Sequence, residues 1–289
     1  MPELPEVETV RRQLDDMLRG RKITGAAVHW RRTLGGQTPK AFAIGVRGAR
    51  FQRIERHGKH LVFRLQRGHN AGGVIMAHLR MTGRFFVEPL ARVIGKWDRL
   101  VLELDGTDVL VFLDVRKFGR VHFERDEHAA LGHLGPDPVL DEFPAATFAA
   151  SLARRNRALK PLLLDQSFLA GLGNIYTDEA LHIAGLHPLR CAASLTASEV
   201  TGLHAAILRV LHAALGKGGS SFDSFYRTPQ GQPGAFQDDF RVYGRHGKAC
   251  RGCASTIERA VLGQRGTWWC PGCQPKPRKR QRAGAAFKD

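Results

Sequence analysis

Four of the five cysteines stand as two pairs, Cys250-x2-Cys253 and Cys270-x2-Cys273, with sixteen residues between them. Two such knuckles supply four thiolates in tetrahedral geometry, and the intervening length suits one hairpin, so the spacing predicts a zinc ribbon or finger. The fifth, Cys191, stands alone and reads as a small core residue. At the tip of the expected hairpin, Gly263-Gln264-Arg265-Gly266 holds an arginine that could enter a nucleic-acid groove, or simply be a solvated charge. Gly171-x-Gly173-Asn174 lies between two helical stretches, with Asn174 as the expected N-cap of the second. A turn of that kind can cradle phosphate on its amides, but on local grounds a plain helical corner serves equally well. Lys59, in His57-Gly58-Lys59-His60, opens a strand and on its own reads as a surface lysine. Met81, Arg116 and Phe118 fall in loops among basic residues. Together they suit prying a base pair apart and filling the gap, although Met81 and Phe118 would each pass as core.

Charge decides between several of these readings. The 289 residues carry 44 Lys plus Arg against 27 Asp plus Glu, a formal charge of +17, which favours a polyanionic partner. No apolar run reaches the length of a membrane span, and the acidic opening Met1-Pro2-Glu3-Leu4-Pro5-Glu6 does not resemble a signal peptide. The expectation is a cytoplasmic protein that binds nucleic acid and no membrane.

The elements that must position these residues follow from periodicity. Val7, Val10, Leu14 and Met17 at helical spacing predict a helix over 5–18 that ends at Gly20. From about 22 to 125 the period is two, with strands at 61–65 and 74–76 and a hairpin joining 100–104 to 109–113 through Asp105-Gly106. Many short strands argue for a β-sandwich or barrel. A Pro- and Gly-rich stretch at 132–144 reads as a linker. Helices are expected at 145–154, 158–166, 175–185 and 197–215, and a long loop at 216–241. The tail from Lys276 is basic and predicted to be disordered.

The opening Pro2-Glu3-Leu4-Pro5-Glu6-Val7-Glu8-Thr9-Val10 resembles that of the bacterial formamidopyrimidine-DNA glycosylases. So do Gly58-Lys59, His78-Leu79-x-Met81-x-Gly83, Arg116-x-Phe118-Gly119, Gly171-x-Gly173-Asn174-Ile175-Tyr176, and the zinc finger with Gln264-Arg265 before its third cysteine. These motifs span residues 2–273 in family order.

The resemblance implies an α+β fold of two domains. An N-terminal β-sandwich with a leading α-helix (1–131) is joined by the linker 132–144 to a helical domain (145–240). That domain carries a helix-two-turn-helix and a lesion-covering loop, and a β-hairpin zinc finger (241–275) and basic tail (276–289) follow. It further implies excision of oxidised purines from duplex DNA and strand cleavage by β,δ-elimination. Pro2, freed of Met1, would be the nucleophile, Glu3 a proton shuttle, Lys59 a phosphate contact and catalytic aid, and Arg265 an aid to elimination. Met81, Arg116 and Phe118 would fill the gap left by the flipped nucleotide, with Arg116 facing the orphaned cytosine, and Asn174 would hold phosphate. Ser220, Ser221, Phe222 and Tyr226 would belong to the covering loop. Cys250, Cys253, Cys270 and Cys273 would bind one structural Zn²⁺, with no catalytic cofactor, in a monomer whose partner is damaged double-stranded DNA.

Three places depart from the family pattern: Arg80 where glycine is usual, Trp97 and Arg99 where histidines are usual, and Asn156 at a position often basic. Arg99 remains an expected phosphate contact, and Arg155 beside Asn156 an expected substitute. The alternatives are an endonuclease VIII-like enzyme for oxidised pyrimidines and a non-catalytic zinc protein that binds damaged DNA.

Overall fold

The structure, a computed structural model, describes residues 1–126, 128–140, 143–221 and 226–278. It opens on helix α1 (Leu4–Leu18), whose Val7, Val10, Leu14 and Leu18 recur on one buried face. The chain leaves α1 through Gly20 in the left-handed region (φ 80°). Among the described residues eight strands follow: β1 (Ile23–Val28), β2 (Arg50–His57), β3 (His60–Arg67), β4 (Asn70–His78), β5 (Gly83–Pro89), β6 (Asp98–Leu104), β7 (Asp108–Asp114) and β8 (Arg120–Glu124). They form two antiparallel four-stranded sheets, in the orders β1-β6-β7-β5 and β2-β3-β4-β8. Alternate residues of both sheets meet in one core with the apolar face of α1. Phe63 of β3 meets Phe85 of β5 at 5.3 Å between ring centroids, and Phe85 meets Phe112 of β7 at 4.8 Å, so an aromatic column bridges the sheets. This is the expected sandwich with a leading helix. A helix the periodicity did not reveal, α2 (Pro39–Val46), is capped by Thr38, whose Oγ1 accepts the Ala41 amide, and buries Phe42 and Val46. The short helix α3 (His128–Leu131) ends this stretch.

Two compact units emerge: Met1–His133 with Leu215–Ala235, and Leu134–Ala214 with Phe236–Asp289. Leu215–Ala235 belongs to the first unit, because Tyr226 sits in the sandwich core and Ser220 bonds to Glu6 of α1. The expected linker is part of the second unit from Leu134 onward. There the Gly135 amide donates to the Gln166 carbonyl, and the fully buried Asp137 carboxylate accepts the amides of Val139 and Leu140.

The second unit holds α4 (Ala145–Ala153), α5 (Leu159–Leu163), α6 (Asn174–Ile183) and α7 (Ala197–Gly216), the last running on into the first unit. Helix α5 stops short of the expected 166 because the Asp165 carboxylate bonds the Ser167 amide and hydroxyl, a local turn that competes with helix. Strands β9 (Glu258–Leu262) and β10 (Arg265–Trp269) pair around Gly263-Gln264, both with positive φ (56° and 63°), the signature of a two-residue type I′ turn. Arg265 is therefore the first residue of β10, opposite Leu262, rather than part of the turn.

Candidate functional site

The start of α1 is fixed by two carboxylates. The Glu3 side chain accepts the Glu6 amide, and Glu6 Oε2 accepts the Glu3 amide at 2.8 Å, a reciprocal capping box. Pro2 and Glu3 are consequently buried in a set direction at the positive end of the helix. One turn later Glu8 binds the guanidinium groups of Arg11, Arg12 and the buried Arg56 at 2.8–3.1 Å. Desolvation raises the Glu8 carboxyl, but these arginines outweigh it and hold it below the usual range. Arg56 also donates to the Gly58 carbonyl at 3.0 Å. A path from helix through carboxylate and guanidinium thus ends on the tight turn that carries Lys59, which is 94% buried rather than a surface lysine (6% exposed).

A second centre is built from the loops holding Met81 and Arg116-Lys117-Phe118. The two loops are joined through Asp114, a fully buried carboxylate at the end of β7. Asp114 accepts the Thr82 hydroxyl and the Arg116 amide (3.2 Å) on one oxygen and the Gly119 amide (2.7 Å) on the other. The Arg116 amide also reaches Thr82 Oγ1 at 3.0 Å. Both loops are thereby clamped to one group, and each contains a non-glycine residue with positive φ, Arg80 (53°) and Lys117 (62°). A Cβ at Gly119 would meet the Phe112 ring at 2.5 Å, so glycine is required there. The clamp leaves Met81 and Phe118 exposed (36% and 49%) with the Arg116 guanidinium 4.9 Å from the Phe118 ring centre.

Arg99 is placed differently from expectation. It is buried, its Nε donates to the Asp114 carbonyl at 2.7 Å, and it braces the clamp instead of presenting its charge outward. Neighbouring Trp97 is partly exposed beneath the Lys96 ammonium.

The 217–226 segment is anchored at both ends. Glu6 Oε1 accepts the Ser220 amide at 2.6 Å and its hydroxyl at 3.2 Å. The Tyr226 hydroxyl donates to the carbonyls of Gly218 and Glu6, and burial first, then the Glu6 charge, pushes its ionisation well up. Ser221 Oγ accepts the Gly234 amide and donates to the Tyr226 carbonyl. Ser220 and Tyr226 therefore anchor this segment, while Phe222 lies outside the described residues.

In the second unit a buried cluster holds the hairpin. Lys160 and Asp178 are both fully buried and pair at 2.8 Å. Lys160 Nζ also donates to the Gly266 carbonyl at 2.8 Å, and Asp178 Oδ2 accepts the Trp268 amide at 3.1 Å. Asn174 is not the cap of α6. Gly173 occupies that position, and the Asn174 amide donates to the same Gly266 carbonyl at 2.9 Å. Both sequence-predicted residues, Asn174 and Arg265, are brought together by this cluster, with Arg265 left exposed one residue away. Arg155 is exposed at the end of α4, and Cys191 is buried as expected.

The four finger cysteines form no disulfide, and their sulfurs lie 3.3 Å (Cys253–Cys270), 3.4 Å (Cys253–Cys273) and 3.8 Å (Cys250–Cys273) apart. Tetrahedral zinc with bonds of about 2.3 Å sets such edges near about 3.8 Å, so the set fits Zn²⁺. Beside them stands a fifth donor of which the cysteine spacing gives no sign, His182 of α6, whose Nε2 lies 3.5 Å from Cys250 Sγ.

Residues 1–121 match the model for the formamidopyrimidine-DNA glycosylase N-terminal domain, 134–225 that of the family's H2TH domain, and 247–276 the zinc finger found in FPG and IleRS. The chain belongs to the formamidopyrimidine-DNA glycosylase family. It is 43% identical over 278 residues to the formamidopyrimidine-DNA glycosylase of Desulfitobacterium hafniense, covering 95% of this chain and 100% of the relative. That of Geobacillus kaustophilus is 39% identical over 279 residues, again covering 95% and 100%. Among solved structures, a Lactococcus lactis FPG variant with DNA containing Fapy-dG superposes with a TM-score of 0.87 at 34% identity. The Lactococcus lactis Fpg complex with abasic-site DNA gives 0.86 at 33%. Both cover 95% of this chain and 100% of the other. This family member is thus a DNA-repair glycosylase with a zinc-finger domain. No helix among the described residues is long and apolar enough to cross a membrane.

Proposed function

We propose that this glycosylase excises oxidised purines, 8-oxoguanine and formamidopyrimidines, from duplex DNA and then cuts the strand by β,δ-elimination. Pro2, once Met1 is removed, attacks the sugar C1′ as a secondary amine and forms a Schiff base. A free α-amine has a pKa of about 8, so much of it is neutral near physiological pH, and the positive end of α1 disfavours a second positive charge beside it. Glu3, held by the capping box, moves protons at the sugar, Lys59 contacts phosphate and assists catalysis, and Arg265 assists the final elimination. Met81, Arg116 and Phe118 occupy the space of the flipped nucleotide, and the arginine fork reads the orphaned cytosine. Asn174 and Arg155 hold phosphate, and the 217–226 segment covers the lesion. One Zn²⁺ on Cys250, Cys253, Cys270 and Cys273 keeps the hairpin folded, the protein works as a monomer in the cytoplasm, and no catalytic cofactor takes part.

The observation that supports this reading is the start of α1, where the reciprocal Glu3–Glu6 capping box fixes the residue next to Pro2. Borohydride trapping tests it: protein freed of Met1 should become covalently attached to DNA holding 8-oxoguanine opposite cytosine, and a Pro2→Gly variant far less so. If protein that mass spectrometry shows to retain Met1 reacts at the normal rate, Pro2 is not the attacking amine. The duplex panel should include an oxidised pyrimidine, since the Lactococcus lactis protein has also been solved with such DNA. Preference for it over 8-oxoguanine would favour the endonuclease VIII-like reading.

A further inference from the structure

Helix α6 meets the zinc ribbon through a run of polar groups that the cysteine spacing alone does not require. Asp178 accepts the Trp268 amide of β10. Glu179, 1% exposed, accepts three successive amides, those of Arg241, Val242 and Tyr243, at 2.8–2.9 Å, and so grips the chain as it enters the ribbon. His182, four residues after Asp178 and three after Glu179, falls on the same side of the helix. It is 7% exposed, and its Nε2 lies 3.5 Å from Cys250 Sγ. The ligand atoms of His182, Cys250, Cys270 and Cys273 all fall within 4.8 Å of one another. His182 Nδ1 is buried and has no hydrogen-bond partner among the described residues, so the ring's one polar contact is with the thiol.

We propose that His182 is the outer-shell partner of the zinc centre: its Nε2–H donates a hydrogen bond to the Cys250 thiolate and slows release of the metal. A zinc-bound thiolate carries negative charge that burial would leave poorly compensated, and Cys250 is 4% exposed. An N–H donor aimed at that sulfur offsets part of the charge and fixes its orientation, as outer-shell donors do at other metal sites. The bond also ties the first knuckle to the helix that already holds the hairpin through Asp178. Histidine suits the position because its planar ring can reach the sulfur edge-on, whereas a phenyl ring of similar size would fill the space without donating.

The inference rests on the four-thiolate zinc site, and zinc content of the purified wild-type chain checks that separately: one metal per chain is required before the next comparison has meaning. Release of zinc to an excess of chelator is then followed with a chromogenic zinc indicator for wild type, His182→Phe and His182→Gln. Loss of an outer-shell partner commonly weakens metal binding about 10–100-fold. His182→Phe should therefore lose zinc faster by a factor in that range, and His182→Gln, which keeps a donor, should recover part of the difference. Release from His182→Phe at the wild-type rate would overturn the proposal. A second measurement needs no variant: long-range ¹H–¹⁵N correlation on the zinc-loaded wild type should place the His182 proton on Nε2, and a proton on Nδ1 alone would remove the donor. Cobalt substitution of the wild type should show the charge-transfer intensity of four thiolates. Intensity for three thiolates and a nitrogen would make His182 a direct ligand and refute the hydrogen bond.

Discussion

Replacing Lys160 with methionine removes one half of an ion pair in which both side chains are fully buried. The Asp178 carboxylate is left without its cation, and the Gly266 carbonyl keeps only the Asn174 amide as a donor. Breaking a buried pair from one side costs about 3–5 kcal/mol, because the remaining charge is stranded in a low dielectric. A typical domain has only about 5–15 kcal/mol in total, so K160M should visibly destabilise the second unit. Removing the stranded charge should repair the loss. In Asp178→Asn the carboxamide oxygen can still accept the Trp268 amide, and no uncompensated charge remains, so K160M with D178N should be more stable than K160M alone by at least about 1 kcal/mol.

A pH dependence follows with a definite sign. Burial pushes the Asp178 carboxyl up to about 7 against the pull of Lys160 and the Trp268 amide. Without Lys160 it rises further. A carboxyl whose pKa is higher folded than unfolded binds more protons in the native state, so the variant should gain stability as pH falls from about 8 to about 6. Urea denaturation followed by tryptophan fluorescence reads this unit through Trp268 and Trp269 of β10. A K160M loss below about 1 kcal/mol, or a double variant no more stable than K160M, would refute the stranded-charge reasoning.

Three further outcomes are expected. Arg116→Ala should slow excision of 8-oxoguanine opposite cytosine by about 10–100-fold while changing cleavage at a preformed abasic site by less than about 3-fold, since only the intact pair must be unstacked; single-turnover rates on the two duplexes check this, and equal losses would mean the arginine merely supports the fold. Asp114→Asn turns one acceptor of the loop clamp into a donor facing another donor. It should lower stability by about 1–3 kcal/mol and reproduce much of the Arg116→Ala excision defect, without adding to it in the double variant. His60, lowered to about 4 by burial and then by Arg80 and the histidines His133, His122 and His57, stays neutral in the fold while its unfolded form titrates near about 6.5. Stability should therefore be complete above about pH 6.5 and be lost by up to about 3 kcal/mol as pH falls to about 4, and His60→Gln should flatten that part of a thermal-melting profile.

The sequence made legible what depends on local spacing. The cysteine knuckles, the apolar stripe of α1 and the 98–114 hairpin each encode their geometry within a few residues, and the structure has all three. It hid what depends on distant partners. Glu8 meets Arg56, Thr82 meets Asp114, and Lys160 meets Asp178 only after the chain has folded, and each member alone reads as an ordinary polar residue. The setting of Arg99 was hidden for the same reason: the family pattern suggests a phosphate contact there, but β6 carries the side chain inward to the Asp114 carbonyl. Tyr226 is a further case: the family resemblance places it in the covering loop, and only the fold shows that its ring joins the sandwich core.

Arg80 and Lys117 show most clearly where local rules fail. Positive φ calls for glycine, asparagine or aspartate, so nothing in either side chain predicts the turn it occupies. Both residues sit beside exposed apolar side chains, Met81 and Phe118, and both loops are held by the Asp114 clamp and by glycines that cannot accept a Cβ. The strain is thus imposed by buried groups behind the loops, and its result is to push Met81 and Phe118 outward, where an apolar side chain has no structural reason to be. Two large apolar residues held exposed by a strained backbone and a buried carboxylate are what a base-pair wedge requires and what a stability-driven loop would avoid.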